Sequence, residues 1–208
     1  HWNIVALCEL LEYFPNHPEA SRWRNSIGLY CRGYLAAMCA RNPFGIVPYG
    51  FYAGEDPGGN RKIGKYWYRW FMESDRGWWV GINCNLSSSG IILLKASRLL
   101  KDKRFAILAQ RQLDWILGVN HFNTCTVNGV GHNHPKHYYP SNWNRNANYP
   151  GTPVIPGAVM NGLGGTVEDH PYLMDGRWQT CEYFTPMLCH TMWLLAEFQS
   201  QAESADRP

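Results

Sequence analysis

Apolar residues recur with helical spacing in five stretches of the 208-residue chain, and this periodicity limits the possible fold more than any other feature. Asp102 and Gly118 are expected to cap the two ends of the fourth helix. The predicted helices cover residues 2–14, 18–40, 85–100, 103–117 and 183–199. The sequence therefore predicts an all-α fold.

Two long connections, residues 43–84 and 119–181, separate these helices and are rich in glycine, proline and aromatic residues. Connections of this length inside a compact domain are usually functional. Consecutive helix pairs with long loops at one end are typical of an α/α toroid, whose loops carry the site. Five helices cannot close such a ring, so we predict an incomplete barrel. Residues 1–208 then form part of one domain, with residues 199–208 as a tail.

The composition excludes some classes of protein. A net charge of +3 without a cluster of Lys and Arg argues against nucleic-acid binding. No apolar run has the length of a membrane-spanning helix, and the pattern of residues 1–208 predicts no signal peptide. Seven cysteines occur without a C-x-x-C pair, and most, including Cys8 and Cys189 within predicted helices, are interpreted as buried thiols. No cofactor is predicted. Ten Trp and twelve Tyr can either pack a core or line a sugar site.

Four short motifs follow one another in the second half of the chain. They are LDWILGVN at 113–120, VGHNHP at 130–135, IPGAVMNG at 155–162 and DGRWQTCE at 175–182. Upstream, NPFG at 42–45 fits the same series more loosely. Their order resembles the late part of the catalytic domain of glycoside hydrolase family 9. The resemblance implies the carboxy-terminal half of an (α/α)6 toroid that hydrolyses a β-linked glucan or related polysaccharide, as in cellulose degradation. It also favours a secreted or periplasmic location.

The resemblance gives Glu182 the role of the catalytic acid. A general acid must be protonated near neutral pH, and apolar surroundings raise the pKa of a carboxyl group by desolvation. Glu182 lies at the predicted start of the last helix, whose body is apolar. The alternative is a glutamate that is favoured at a helix amino terminus by the helix dipole.

Inversion at a sugar also requires a second carboxylate that activates water. The family supplies this general base from an Asp-x-x-Asp motif, and the 208 residues contain no such motif. Glu168, Asp169 and Asp175 lie in the wrong motif for that role. We therefore expect the base in a missing amino-terminal half of the same domain, and we expect this fragment to be inactive alone.

The resemblance also suggests substrate contacts. Asp175 and Arg177 are expected to orient the loop and the acid, although a surface ion pair of little value is the alternative. Among loop residues that contact an oligo- or polysaccharide, we expect His132, His137, Tyr138 and Trp143. The segment KHYYP at 136–140 departs from the family pattern, as does EYFTP at 182–186, so a divergent subgroup that acts on a β-glycan other than cellulose is a credible alternative.

Three loop histidines allow a zinc hypothesis as well. His132, His134 and His137 supply imidazoles, and Cys125 is near them in sequence. The spacing matches no known zinc finger, and polar loop histidines more often donate or accept hydrogen bonds. We therefore predict no metal.

Two other functions remain open from the sequence. A non-catalytic carbohydrate-binding or scaffold module would keep the aromatic loops and lack the base. A helical-toroid polysaccharide lyase would use Tyr and His as base and acid, and the motif at Glu182 counts against it. An Asp-x-x-Asp motif upstream would favour the hydrolase over the module.

Overall fold

The computed structural model describes residues 1–53, 61–72, 81–136 and 155–205. Residues 203–205 are described by their backbone alone. Its longer helices occupy the five predicted regions, and one short helix, Trp178–Cys181, lies within the predicted connection 119–181. They are α1 Trp2–Tyr13, α2 Ala20–Tyr30 with a π-helical continuation Cys31–Ala36 and α3 Ala37–Cys39, α4 Asn83–Leu99, α5 Arg104–Ile116, the short α6 Trp178–Cys181, and α7 Thr185–Ala205. None of the described helices is both long and apolar enough to cross a membrane.

The chain divides into two compact units. Unit 1 consists of His1–Val47, Asn85–Leu113 and Cys189–Pro208, and unit 2 consists of Pro48–Cys84 and Asp114–Leu188. Within the described residues, unit 1 is helical and all strands belong to unit 2.

Helix α4 forms the core of unit 1. Its residues Ile91, Ile92, Leu93 and Leu94 are completely buried, as expected for a helix that is covered on all sides. Gly90 permits a close approach to α7, since a Cβ atom at this position would lie 2.8 Å from Leu194 Cδ1.

A network of charged side chains joins three helices of unit 1. The ammonium group of Lys95, which is 4% exposed, lies 2.7 Å from Glu9, 2.8 Å from Glu12 and 3.1 Å from Glu197. Arg98 binds Glu12 at 3.1 Å and Glu197 at 2.6 Å. Burial acts to raise the pKa of Glu197, but the hydrogen bonds and charges of Arg98 and Lys95 outweigh it and lower that pKa. Each buried carboxylate in this network therefore has a cationic partner.

The prediction that residues 43–84 form an irregular connection is wrong in part. They contain a three-stranded antiparallel sheet of order β1–β3–β2, with β1 at Gly50–Ala53, β2 at Arg61–Ile63 and β3 at Tyr66–Arg69. The strands have only three or four residues, too few for a period of two to stand out. In the second connection, β4 at Gly164–Gly165 pairs with β5 at Pro171–Tyr172.

Asp169 connects the end of the larger sheet to the β4–β5 turn. It is 1% exposed, and its backbone adopts a positive φ of 65°. Its carboxylate accepts hydrogen bonds from Arg61 Nε at 2.7 Å and from the backbone N–H groups of Trp70 and Phe71, both at 2.9 Å. A buried carboxylate with this many donors remains compatible with the protein interior.

Arg69 completes the same connection from the other side. Its guanidinium group is nearly buried and lies 4.0 Å from Asp169. It donates hydrogen bonds to the carbonyl groups of Thr166 at 2.5 Å, Val167 at 3.2 Å and Phe71 at 3.2 Å. Side chains from each segment thus satisfy backbone groups of the other.

Several predicted details of the helices differ from the structure. Helix α7 begins at Thr185, where Pro186 fits the first turn because its missing N–H would have no partner there, and it continues to Ala205 through the predicted tail. Cys8 is buried as predicted, but Cys189 is exposed because it lies on the outer side of α7. The capping prediction for α5 is confirmed, since Arg104 N donates to Asp102 Oδ1 at 3.2 Å.

Replacing Asp169 should destabilise unit 2 strongly. Asn tolerates the positive φ, so Asp169→Asn tests the charge, and it leaves Arg69 without its buried anionic partner. We expect the free energy of unfolding to fall by about 3–5 kcal/mol, the cost of breaking a buried ion pair from one side. The exposed neighbour Glu168→Gln serves as the control and should leave the free energy of unfolding nearly unchanged in denaturant unfolding. Equal effects of the two variants would contradict this structural role.

Candidate active site

Glu182 lies in the short segment between α6 and α7. It follows the last residue of α6 in an extended conformation, with φ −73° and ψ 144°, and its N–H donates to Trp178 O at 3.3 Å. The prediction that it opens the final helix is therefore wrong, because α7 begins only at Thr185. A favourable helix dipole at the first turn of α7 does not explain this glutamate.

Residues 160–162 hold the Glu182 segment through backbone hydrogen bonds. Asn161 N donates to Glu182 O at 2.9 Å, and Gly162 N donates to Thr180 O at 3.0 Å. Met160 and Tyr183 form an antiparallel bridge next to them. The main chain on both sides of Glu182 is thereby fixed.

Close packing around Gly162 explains why a glycine is needed here. Its φ is +91°, and a Cβ atom would lie 2.4 Å from Asn83 Oδ1. Asn83 in turn donates from Nδ2 to Met160 O at 2.9 Å. The buried side chain of Asn161 donates to Trp178 O at 2.7 Å, which ties this segment to α6.

Tyr183 anchors the residue that follows Glu182. Its hydroxyl oxygen accepts hydrogen bonds from Ile155 N at 3.0 Å and from Asn128 Nδ2. Sequence reasoning did not single out Tyr183, Asn128 or Asn161 as supporting residues. Tyr183 was seen only as a departure from the family pattern, and the signal for Asn161 was its place in the 155–162 motif.

The electrostatic setting of Glu182 differs from that of the other acidic residues nearby in sequence. Glu182 is half-buried, and this desolvation raises the pKa of its carboxyl group. Glu168 is exposed, and a hydrogen bond from Thr166 lowers its pKa. A raised pKa keeps a carboxyl group protonated to higher pH, which a proton donor requires.

The predicted residues Asp175 and Arg177 precede the amino terminus of α6, whereas Glu182 follows its carboxyl terminus. Arg177 precedes the first residue of this helix, and its carbonyl accepts from Thr180 N at 3.1 Å and Cys181 N at 2.7 Å. Its side chain donates from Nε to the hydroxyl of Tyr172 at 3.4 Å. Asp175 is exposed. Arg177 and Glu182 therefore flank the same four-residue helix.

The loop histidines have local partners. His132 is exposed and its Nε2 accepts from Asn123 Nδ2 at 3.3 Å, while His134 Nδ1 donates to Pro135 O at 2.9 Å. In the described part of the chain, neither histidine has a hydrogen bond to Glu182. The predicted substrate contacts His137, Tyr138 and Trp143 lie outside the described residues.

Among residues 1–53, 61–72, 81–136 and 155–205, no group of three or more His, Cys, Asp or Glu side chains could hold a metal ion. His137, the third histidine of the zinc hypothesis, lies outside these ranges. Asp169 has donors on both carboxylate oxygens and is 1% exposed. It is therefore poorly placed to activate water.

The model of glycosyl hydrolase family 9 matches residues 61–184. A metagenome-derived glycoside hydrolase family 9 endoglucanase aligns with a TM-score of 0.64 at 18% identity, covering 88% of this chain and 30% of its own. Bacteroides ovatus GH9 aligns with a TM-score of 0.61 at 19% identity, covering 88% of this chain and 29% of its own. No curated protein sequence matches significantly.

These comparisons agree with the order of motifs on which the predicted resemblance depends. The matched region includes the three motifs at 113–120, 130–135 and 155–162 and continues through Glu182. The structural likeness shows a shared fold over most of this chain, while the chain spans about 30% of the length of these relatives. Because the family model matches more than half of the residues of this chain, the chain belongs to glycosyl hydrolase family 9.

Proposed function

We propose that this chain is the part of a glycoside hydrolase that supplies the general acid, Glu182. The substrate is a β-linked glucan or a related polysaccharide, and the reaction breaks an O-glycosidic bond. The observation that carries this proposal is a half-buried carboxyl group with a raised pKa on a backbone that is fixed from both sides. Family membership supports the hydrolase over the lyase.

The proposed mechanism is inversion. The Glu182 carboxyl group donates its proton to the glycosidic oxygen as the bond between this oxygen and the anomeric carbon breaks. A second carboxylate removes a proton from water, and the water oxygen bonds to the anomeric carbon from the opposite face of the ring. One product is a sugar with inverted anomeric configuration, and the other carries the former glycosidic oxygen as a hydroxyl group.

We assign the general base to a region outside these 208 residues. The chain has no Asp-x-x-Asp motif, and Asp169 is engaged by backbone and arginine donors. The family fold is an (α/α)6 toroid, of which this chain would form an incomplete part. Apolar side chains of unit 1 are exposed at Leu29 (76%), Ile107 (60%) and Met192 (68%), as expected if further helices pack on it.

The remaining predicted residues are assigned supporting roles. Arg177 and Asp175 would orient α6 and through it Glu182, consistent with the position of Arg177 at the start of that helix. His132, His137, Tyr138 and Trp143 would contact the polysaccharide from the long connection. Their residue types suit the partly apolar faces of sugar rings.

Substitution of the acid should affect substrates unequally. In the full-length enzyme, Glu182→Gln removes the proton donor, so turnover of an unactivated glycoside should fall by about 10²–10⁴-fold. An aryl glycoside with a good leaving group should lose much less, because it needs little protonation. The two rates are measured with purified protein, and Glu168→Gln is the matched control.

Equal, mild losses on both substrates would remove Glu182 from the role of acid. A full-length protein that binds polysaccharide but never hydrolyses it would instead favour the non-catalytic module.

The 208-residue chain alone should not hydrolyse β-glucan. General acid and general base each contribute about 10²–10⁴-fold, so the loss of the base leaves activity marginal. Adding the remaining part of the domain as a separate polypeptide should restore hydrolysis if the two parts assemble. Reducing-sugar release is measured for each part and for the mixture. Unaided hydrolysis by the chain at a rate comparable to the mixture would contradict the assignment of the base.

A further inference from the structure

The outward surface of the β1–β3–β2 sheet carries aromatic and basic side chains next to each other. In an antiparallel sheet, residues that are paired across strands lie side by side on the same face. Trp67 of the central strand pairs with Tyr52 on one side and with Lys62 on the other. These three side chains therefore form one row across a single face, which we call the Trp67 row.

The Trp67 row is accessible to solvent, whereas the neighbouring row on the opposite face contains a buried ring. Tyr52 and Trp67 are half-buried and Lys62 is exposed. On the other face, Tyr68 is only 7% exposed and stacks on Phe51 with ring centroids 5.7 Å apart. A solvated sheet face normally carries polar residues, so two partly exposed aromatic rings in one row indicate a surface for a ligand.

Positive charge lies near aromatic rings on both faces of the sheet. The ammonium group of Lys62 lies 5.2 Å from the centroid of the Trp67 ring, and that of Lys65, in the turn before β3, lies 5.4 Å from the ring of Tyr66 on the opposite face. Neither lysine forms an ion pair with an acidic residue in the described ranges. Arg61, by contrast, is engaged by Asp169. Two lysines thus remain available for an anionic ligand.

The row is also held in place. Asp169 and Arg69 attach the end of β3 to the 166–169 turn through buried hydrogen bonds. A surface that is ordered before binding loses less conformational entropy when a ligand binds.

We propose that the Trp67 row binds acidic sugar residues of a polysaccharide. The C–H face of a sugar ring packs on Trp67, while its carboxylate accepts a charge-assisted hydrogen bond from Lys62, whose flexible stem reaches beyond the ring. Lys65 adds charge at the adjacent turn. The identification of the ligand as a glycan depends on the proposed function. The proposal narrows the substrate class of the hydrolase to β-glycans that bear carboxylates.

A glycan fits this surface better than a single-stranded nucleic acid. Nucleic-acid sites need a basic groove along several phosphates, whereas the chain has a net charge of only +3 and this hairpin offers two lysines that form no ion pair among the described residues. One lysine beside the stacking ring and a second at the adjacent turn match a few carboxylates on successive sugars.

The test compares two ligands that differ only in charge. Cello-oligosaccharides and the same oligosaccharides oxidised to carboxylates at their primary alcohols are titrated into the full-length protein by calorimetry. The oxidised form should bind more tightly, and raising the salt from about 0.15 M to about 1 M should remove the difference, since the Debye length falls from about 8 to about 3 Å.

The double variant Lys62→Gln/Lys65→Gln should weaken binding of the oxidised form about tenfold, as expected for two exposed charge pairs, and leave binding of the neutral form unchanged. The control pair Lys101→Gln/Lys103→Gln, exposed in unit 1, should have no effect.

Equal affinity for the two ligands, no effect of the Lys62/Lys65 variant, or equally tight binding of a single-stranded oligonucleotide would each overturn the proposal. These lysines are separate from Glu182. If hydrolysis depends on Glu182 but binding of the oxidised form does not depend on Lys62 and Lys65, the inference about the Trp67 row is refuted and the proposed function is not.

Discussion

The backbone pairing of residues 160–162 with residues 180–183 determines where Glu182 can lie. Each hydrogen bond is an ordinary N–H to carbonyl contact of 2.9 or 3.0 Å, but together they fix an irregular segment that belongs to neither helix. The pairing depends on Gly162, whose positive φ and contact with Asn83 exclude a side chain. Without this pairing, the backbone of Glu182 after the short helix α6 would lack the hydrogen bonds that hold it in a single conformation.

The surroundings of the Glu182 carboxyl group differ from those of the buried carboxylates of Glu197 and Asp169. Glu197 has Lys95 and Arg98, which outweigh the effect of burial and lower its pKa, and Asp169 accepts hydrogen bonds from Arg61 and two backbone N–H groups. In the described part of the chain, Glu182 has no cationic partner, and burial raises its pKa. The charged form of Glu197 is thus stabilised, while burial shifts the proposed acid towards its neutral form.

The helices could be predicted because their apolar periodicity extends over many residues. The caps of α5 at Asp102 and Gly118 were readable for the same reason: cap chemistry is local. The sheet was missed because its strands are short and their pairing depends on distant contacts such as that of Asp169 with Trp70.

For the site, the motif identified Glu182, but its position after α6 and its backbone partner Asn161 required the fold. The spacing of residues along the sequence does not indicate that the segment 160–162 pairs with the segment 180–183. The roles of Asp175 and Arg177 remain predictions, as do those of the loop residues 132, 137, 138 and 143.

The most direct measurement is an NMR titration of the Glu182 side-chain carboxyl carbon, assigned by comparison with Glu182→Gln. A free glutamate titrates near pH 4.3. The present account predicts a midpoint for Glu182 above that value, because burial disfavours its charge, and a midpoint for Glu168 below it, because Thr166 donates to its carboxylate. A Glu182 that titrates at or below the ordinary value, together with Glu168, would contradict its assignment as the proton donor.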